Sequence, residues 1–172
     1  MLIGSPMCMA FSTWQFLNDA RRSNAAAAEA AKAKAIQHMN FAASFYLEQI
    51  QAGRYFLHKH PRHASSWKLQ AMEELMRIPG VTFTYGDQCK YGAQVAHGPP
   101  KGCPIKKPMG FLSNSKSLAS ALSKTCAGTG GVCFRGGRHG HCSDRIVKEA
   151  AIYLRGLCQA VTRGIVEQLR ED

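Results

Sequence analysis

Residues 2–12 read LIGSPMCMAFS, and this stretch is the best guide to the fold. Leu2 and Ile3, followed by a Gly-Ser-Pro sequence, are typical of a buried strand that runs into a turn. A strand needs neighbours, and none precedes this one in the sequence. We therefore expect residues 1–172 to form either a single α/β domain or the carboxyl-terminal part of a larger one.

The rest of the chain alternates helix and strand patterns. A long helix is predicted over residues 24–52, because an alanine-rich first half is followed by apolar residues at steps of three and four. A flexible linker is the alternative for the alanine tract. Two glycine-rich loops, 92–110 and 126–142, are predicted to be exposed. The shorter predicted elements are strands at 54–58 and 81–85 and helices at 67–77, 115–124 and 144–169.

Composition and charge limit the class of protein. The chain has 22 Lys and Arg against 11 Asp and Glu, a formal net charge of +11, which favours polyanionic partners and nucleic acid first. Apolar residues make up 45%, which excludes wholesale disorder. The longest uncharged run, residues 2–18, is too polar to span a membrane and lacks the features of a signal peptide. We expect an intracellular protein whose seven cysteines are reduced or bind a metal.

Cys8 is a candidate nucleophile. It follows a predicted strand on a tight loop that contains proline, where the sulfur is exposed and nearby backbone N–H groups favour the thiolate. The alternative is a small buried apolar residue, which is the usual role of a free cysteine.

Two basic segments are candidate nucleic-acid contacts. The sequence HKHPRH directly follows a predicted strand, and its side chains could bind phosphate or form a solvated loop. The second segment combines lysines, which neutralise phosphates, with rings that stack on unpaired bases; an ordinary surface loop is its alternative. The candidate residues are His58, His60 and Arg62 in the first segment and Lys90, Tyr91, Lys106 and Lys107 in the second.

A Cys- and His-rich segment is a candidate zinc site. Five potential ligands fall within residues 126–142, and four of them could hold zinc tetrahedrally. Arg135 and Arg138 in the same loop offer phosphate contacts as an alternative. The segment predicts a zinc-dependent DNA- or RNA-binding module without enzymatic activity. The candidate ligands are Cys126, Cys133, His139, His141 and Cys142.

Three motifs in this order resemble the catalytic part of cytosine-5 DNA methyltransferases. The resemblance is closer to the diverged methyltransferase-like segments in retrotransposon polyproteins of dinoflagellates and other protists. Residues 4–12 resemble the family's Pro-Cys loop, although Met7 separates the proline from the cysteine. Residues 55–61 resemble the strand end that carries the family's glutamate, where Lys59 stands here. The third similar stretch comprises residues 87–92 with 106–108 and Asn114.

The resemblance implies a partial Rossmann-like fold of the methyltransferase type, with its cofactor-binding half missing. It implies that Cys8 adds to carbon 6 of a flipped cytosine, which then takes a methyl group from S-adenosylmethionine. Lys59 in place of the glutamate removes a positioned acid, a loss of about 10²–10⁴-fold in rate. This prediction is a methyltransferase-like fragment of a mobile element, inactive in isolation, that contacts DNA in the nucleus alongside other segments of a polyprotein.

Overall fold

The structure is a computed structural model that describes residues 1–12, 25–140 and 151–172. Strands and helices are numbered in chain order within these residues. Short 3-10 turns cover Met9–Phe11, Ser65–Lys68 and Gln88–Tyr91. The strands are β1 (Leu2–Gly4), β2 (Phe56–Pro61), β3 (Thr82–Asp87) and β4 (Pro108–Ser113), and the helices are α1 (Ala25–Gln51), α2 (Gln70–Arg77), α3 (Lys116–Leu122) and α4 (Arg155–Glu171).

The four strands form a small mixed open sheet in the order β1-β2-β4-β3. β1 runs parallel to β2, with Leu2 opposite Phe56 and Gly4 opposite His58. Parallel neighbours need a crossover connection, and α1 lies in that connection, so the amino-terminal part is a β-α-β arrangement. The prediction of an α/β fold is confirmed, whereas the Rossmann-like assignment stays a prediction.

By backbone contacts the chain divides into two compact units. The first comprises Met1–Phe83 with Gly110–Lys116, and the second comprises Thr84–Met109 with Ser117–Asp172. Each unit has buried residues of its own.

Helix α1 supplies much of the core of the first unit. Its alanines favour the helix, and Met39, Ala43 and Tyr46 recur at steps of four and three and are buried. The helix ends before Gly53, whose φ of 64° is easy for glycine alone. The helix predicted over residues 24–52 is therefore confirmed. The described part of the alanine tract is helical, so the linker alternative is wrong for it.

Strand β2 is buried along nearly its whole length, including its polar residues. The Tyr46 ring stacks on Phe56 with 4.8 Å between centroids, and its hydroxyl lies 2.9 Å from Nδ1 of His58. Nδ1 of His60 lies 2.7 Å from the Ser66 hydroxyl. A side chain at Gly4 would collide with the Tyr46 hydroxyl, so glycine permits this approach of helix to strand.

The second unit uses two helical glycines for close packing. A side chain at Gly156 would collide with the backbone carbonyl of Tyr91, and one at Gly164 would press on Leu118 of α3. Glycine has a low helix propensity, but at these two positions it permits a close contact that any side chain would prevent. The buried residues of α4 are Leu157, Ala160, Val161, Gly164 and Gln168.

Several sequence predictions need correction. Loop 92–110 is not simply exposed, because Ala93, Val95 and Ile105 are buried, and its last residues begin strand β4. The helix predicted from residue 144 begins at Arg155, and residues 141–150 lie outside the described part of the chain. Most described residues of loop 126–142 are exposed, but Cys126 and Cys133 are buried.

The buried histidines make stability depend on pH. Burial, together with the charges of His60 and Lys59, lowers the pKa of His58 to about 3. Burial and Lys59 lower the pKa of His60 to about 4, against smaller opposing effects of the Pro6 and Met7 backbone. Both rings are therefore neutral in the folded protein at pH 7.

We expect the protein to lose stability on mild acidification. The unfolded histidines have a pKa near 6.5 and bind protons that the folded ones do not, so the stabilisation is full above pH 6.5 and falls below it. At pH 5 the loss is about 2 kcal/mol for each histidine. Urea unfolding at pH 7, 6 and 5, with a chelator present so that metal release does not contribute, measures it. Histidine ¹⁵N shifts that report charged rings for both residues in the folded protein at pH 5 would contradict this account.

Candidate metal centre

Four side chains of the second unit bring ligand atoms together. Cys89, Cys126, Cys133 and His139 place three sulfurs and one nitrogen within 4.8 Å of one another. The Cys126 sulfur lies 3.9 Å from the Cys133 sulfur and 3.7 Å from Nε2 of His139. Tetrahedral zinc with ordinary bond lengths would separate two sulfurs by about 3.8 Å and a sulfur from a nitrogen by about 3.6 Å. The cluster could hold a metal such as zinc.

Strand β3 and its turn position the first ligand. Cys89 lies in the 3-10 turn directly after β3 and is buried. The Asp87 backbone N–H donates to the Lys124 carbonyl at 2.9 Å, and the Asp87 carboxylate accepts the backbone N–H of Cys126 at 2.7 Å. Asp87, itself buried, therefore holds the segment that carries Cys126 beside the segment that carries Cys89.

The other three ligands lie on hairpin 126–139. The Cys133 N–H donates to the Gly137 carbonyl, the Gly136 N–H donates to the Cys133 carbonyl, and the His139 N–H donates to the Gly131 carbonyl, all at 2.8 to 2.9 Å. Four of its glycines have positive φ angles, which the tight turns require. The turns bring His139 back to the two cysteines. These glycines are Gly130, Gly131, Gly136 and Gly137.

His139 is oriented as a metal ligand. Its Nδ1 lies 3.1 Å from the Gly131 carbonyl oxygen, which can only accept a hydrogen bond. The proton therefore sits on Nδ1 and leaves the lone pair of Nε2 directed toward the Cys126 sulfur. A ring nitrogen held by a backbone carbonyl is the usual support of a histidine that binds zinc.

The thiols differ in their protonation. Burial raises the pKa of Cys126, but hydrogen bonds from the backbone of Phe134 and Gly128, together with those from the Cys89 and His139 side chains, outweigh burial and bring that pKa down to about 6. Burial raises the pKa of Cys89, and the neighbouring sulfurs of Cys126 and Cys133 raise it further. Without a cation, thiolates this close together disfavour one another. A metal ion would stabilise all three, and with His139 they complete a four-ligand set of the structural kind.

The sequence predicted part of this site. Cys126, Cys133 and His139 come together as predicted, whereas His141 and Cys142 lie outside the described residues. Sequence reasoning missed Cys89 as a ligand, because it lies far from the other three and was placed in a basic loop. The only sequence signal for Cys89 was its position in the turn that directly follows a strand rich in β-branched and aromatic residues.

The predicted nucleophile loop and the end of β2 come to one edge of the sheet. Cys8 is half-buried and starts the Met9–Phe11 turn after β1. Parallel strands end on the same side, and the Phe11 ring contacts the His60 ring at 5.9 Å between centroids. Lys59, at the position of the expected glutamate, is buried to 7% exposure.

Three of the predicted nucleic-acid contacts need correction. His58 and His60 belong to the interior of the first unit, so they are not parts of a phosphate-binding loop. Tyr91 is buried, its hydroxyl lies 3.5 Å from the Ala121 carbonyl, and burial raises its pKa to about 12, so it offers no ring face to a base. The others are at least partly exposed, namely Arg62, Lys90, Lys106, Lys107, Arg135 and Arg138.

Comparisons with protein-family models, with curated proteins and with solved structures find no match. The site is therefore interpreted from its own geometry, and the methyltransferase resemblance stays a prediction. In the described residues we find no helix with the length and apolar character needed to cross a membrane.

We expect the protein to bind one zinc ion per chain and to lose it on substitution of a ligand. Changing Cys89 or Cys133 to Ser replaces a thiolate by a poor zinc ligand and should reduce the zinc content to below about a tenth. Cys158→Ser is the matched control, because Cys158 is an exposed cysteine of α4 outside the cluster. Elemental analysis of protein purified with zinc measures the content. Full zinc in the Cys89→Ser variant would remove Cys89 from the ligand set.

Proposed function

We propose that the protein is a zinc-dependent nucleic-acid-binding module, in which a Cys3His centre fixes a basic hairpin and performs no chemistry itself. The observation that carries the proposal is the convergence of four ligand atoms within 4.8 Å of one another, with the distances from the Cys126 sulfur to the Cys133 sulfur and to Nε2 of His139 close to those of tetrahedral zinc. Three sulfurs and one imidazole are soft ligands that favour zinc over magnesium or calcium. Four protein ligands leave no open position for substrate or water, as expected of a structural site.

Hairpin 126–139 needs the metal because it has no core of its own. Its three apolar residues other than cysteine, Ala127, Val132 and Phe134, are exposed, and five of its fourteen residues are glycine. Ordering such a segment costs conformational entropy that little apolar burial offsets. Metal binding supplies the missing free energy, so the hairpin and the zinc site form together.

The positive charge around the candidate metal centre favours a polyanionic partner. Residues 88–143 contain no Asp or Glu, so the segment that includes all four ligands, the second predicted basic segment and both glycine-rich loops carries only positive formal charges. Such a surface attracts a polyanion, and nucleic acid offers a regular row of phosphates. The cationic residues of this segment are Lys90, Lys101, Lys106, Lys107, Lys116, Lys124, Arg135 and Arg138.

A second candidate is the inactive methyltransferase-like segment of a mobile-element polyprotein. The observation that favours it is the β1-α1-β2 arrangement, which brings the Cys8 loop beside the end of β2. The described residues give no support for bound S-adenosylmethionine. Micromolar binding of S-adenosylmethionine in calorimetry would favour an active enzyme over both candidates.

The proposed function predicts that nucleic-acid binding depends on zinc. Zinc-loaded protein should bind labelled DNA or RNA with an affinity that falls steeply with salt, and removal of zinc should weaken binding at least about tenfold. Fluorescence anisotropy over a salt series measures both, with Cys158→Ser as the unaffected control. Equal affinity of the loaded and zinc-free proteins would contradict a role for the centre, and no binding by loaded protein would contradict the function.

A further inference from the structure

We propose that hairpin 126–139 binds single-stranded nucleic acid, with one unpaired base stacked on the Phe134 ring and the adjoining phosphates on Arg135 and Arg138. This inference rests on the proposed function and specifies the ligand as single-stranded nucleic acid. It is carried by the exposure of one aromatic ring, the cation beside that ring, and two arginines across a glycine turn.

Phe134 is an aromatic ring held at the surface by a fixed backbone. It is 45% exposed although it follows the buried ligand Cys133, and Val132 on the other side is 43% exposed. The Phe134 backbone N–H donates a hydrogen bond to the Cys126 sulfur, which ties Phe134 to the candidate metal centre. A ring in a fixed position loses little conformational entropy when it contacts a ligand, which favours its use as a binding platform.

Lys90 supplies a cation beside this ring. Its Nζ lies 3.8 Å from the centroid of the Phe134 ring, a cation–π contact. Lys90 belongs to the 3-10 turn that also carries the ligand Cys89, so ring and ammonium are both positioned by residues next to ligands. One face of the ring is thereby covered by positive charge, and a base on the opposite face would have its phosphate attracted by the same ammonium.

Arg135 and Arg138 flank the turn of the hairpin. Both are exposed, and among the described residues neither makes an ion pair with an acidic side chain. Only Gly136 and Gly137 separate them in the sequence, so the residues between the two arginines add no side chain that could obstruct a phosphate backbone. Planar guanidinium groups bind phosphate through paired N–H donors, which a lysine cannot reproduce.

The aromatic ring favours an unpaired strand over a duplex. In a duplex the faces of the bases are covered by their neighbours, whereas a single strand exposes them for stacking on a ring. An apolar ring placed against the phosphates of a duplex gains nothing and costs desolvation. An acidic peptide or an anionic membrane would use the charges but would leave the planar ring without a planar partner.

The test compares substitutions at Phe134 in zinc-loaded protein. Phe134→Leu keeps an apolar side chain but removes the ring, and should weaken binding of a labelled oligothymidylate strand about tenfold without changing the salt slope. Phe134→Trp should restore or exceed the wild-type affinity. Arg135→Ala and Arg138→Ala should each lower the salt slope by about one. A DNA duplex of the same length should bind more weakly than the strand and should not respond to Phe134→Leu.

The outcomes separate this inference from the function on which it rests. Each variant must first contain one zinc per chain, which shows that its hairpin is formed. Unchanged strand affinity in Phe134→Leu, or a preference of the wild-type protein for the duplex, overturns the stacking proposal but leaves a zinc-dependent nucleic-acid binder. Loaded protein that binds neither strand nor duplex, but is captured by anionic vesicles, overturns the proposed function as well.

Discussion

The arrangement of the second unit depends on how three buried sulfurs and one imidazole are held within 4.8 Å of one another. Buried thiols make only weak hydrogen bonds, and each thiolate raises the pKa of its neighbours. Asp87 brings Cys126 beside the turn of Cys89, but it does not neutralise the sulfurs. A dication would do both, since it would bind all four atoms and leave only a small net negative charge in a segment rich in lysine and arginine.

The two units keep polar groups in their interiors by different means. In the first, the imidazoles of His58 and His60 are neutral and each has a hydroxyl partner, Tyr46 or Ser66. These partners satisfy Nδ1 of each ring, whereas Nε2 of both histidines is buried without a hydrogen bond among the described residues, so burial of the neutral rings is only partly compensated. In the second, the polar groups are ligands whose natural partner is a cation. The first unit therefore keeps its polar rings neutral, whereas in our proposal hairpin 126–139 is ordered by a metal.

The sequence predicted the features that depend on neighbouring residues and missed those that depend on residues distant in the chain. Helix α1 was predictable because alanine propensity and an apolar stripe act locally. Strand β4 was missed because its glycine and proline look like a loop, although Gly110 lies against Trp67 and Phe83 and has no room for a side chain. His58 and His60 were assigned to the surface, because nothing in the local sequence shows a hydroxyl that comes from another element. Cys89 was missed for the same reason, since a ligand distant in sequence joins its site only through the fold.

The exposed ring of Phe134 and the absence of a core in hairpin 126–139 have one explanation. An apolar residue in a small segment is normally buried to offset the entropy of ordering the chain. If metal coordination supplies that free energy, the apolar residues of the segment are released from the interior and become available to contact a ligand. The glycines then serve the turns and the cysteines and histidine would serve the metal. The six remaining residues are exposed, and they include one aromatic and two cationic side chains. This division of roles is what the proposed recognition of a partner would use, because the side chains that are neither ligands nor glycines are exposed.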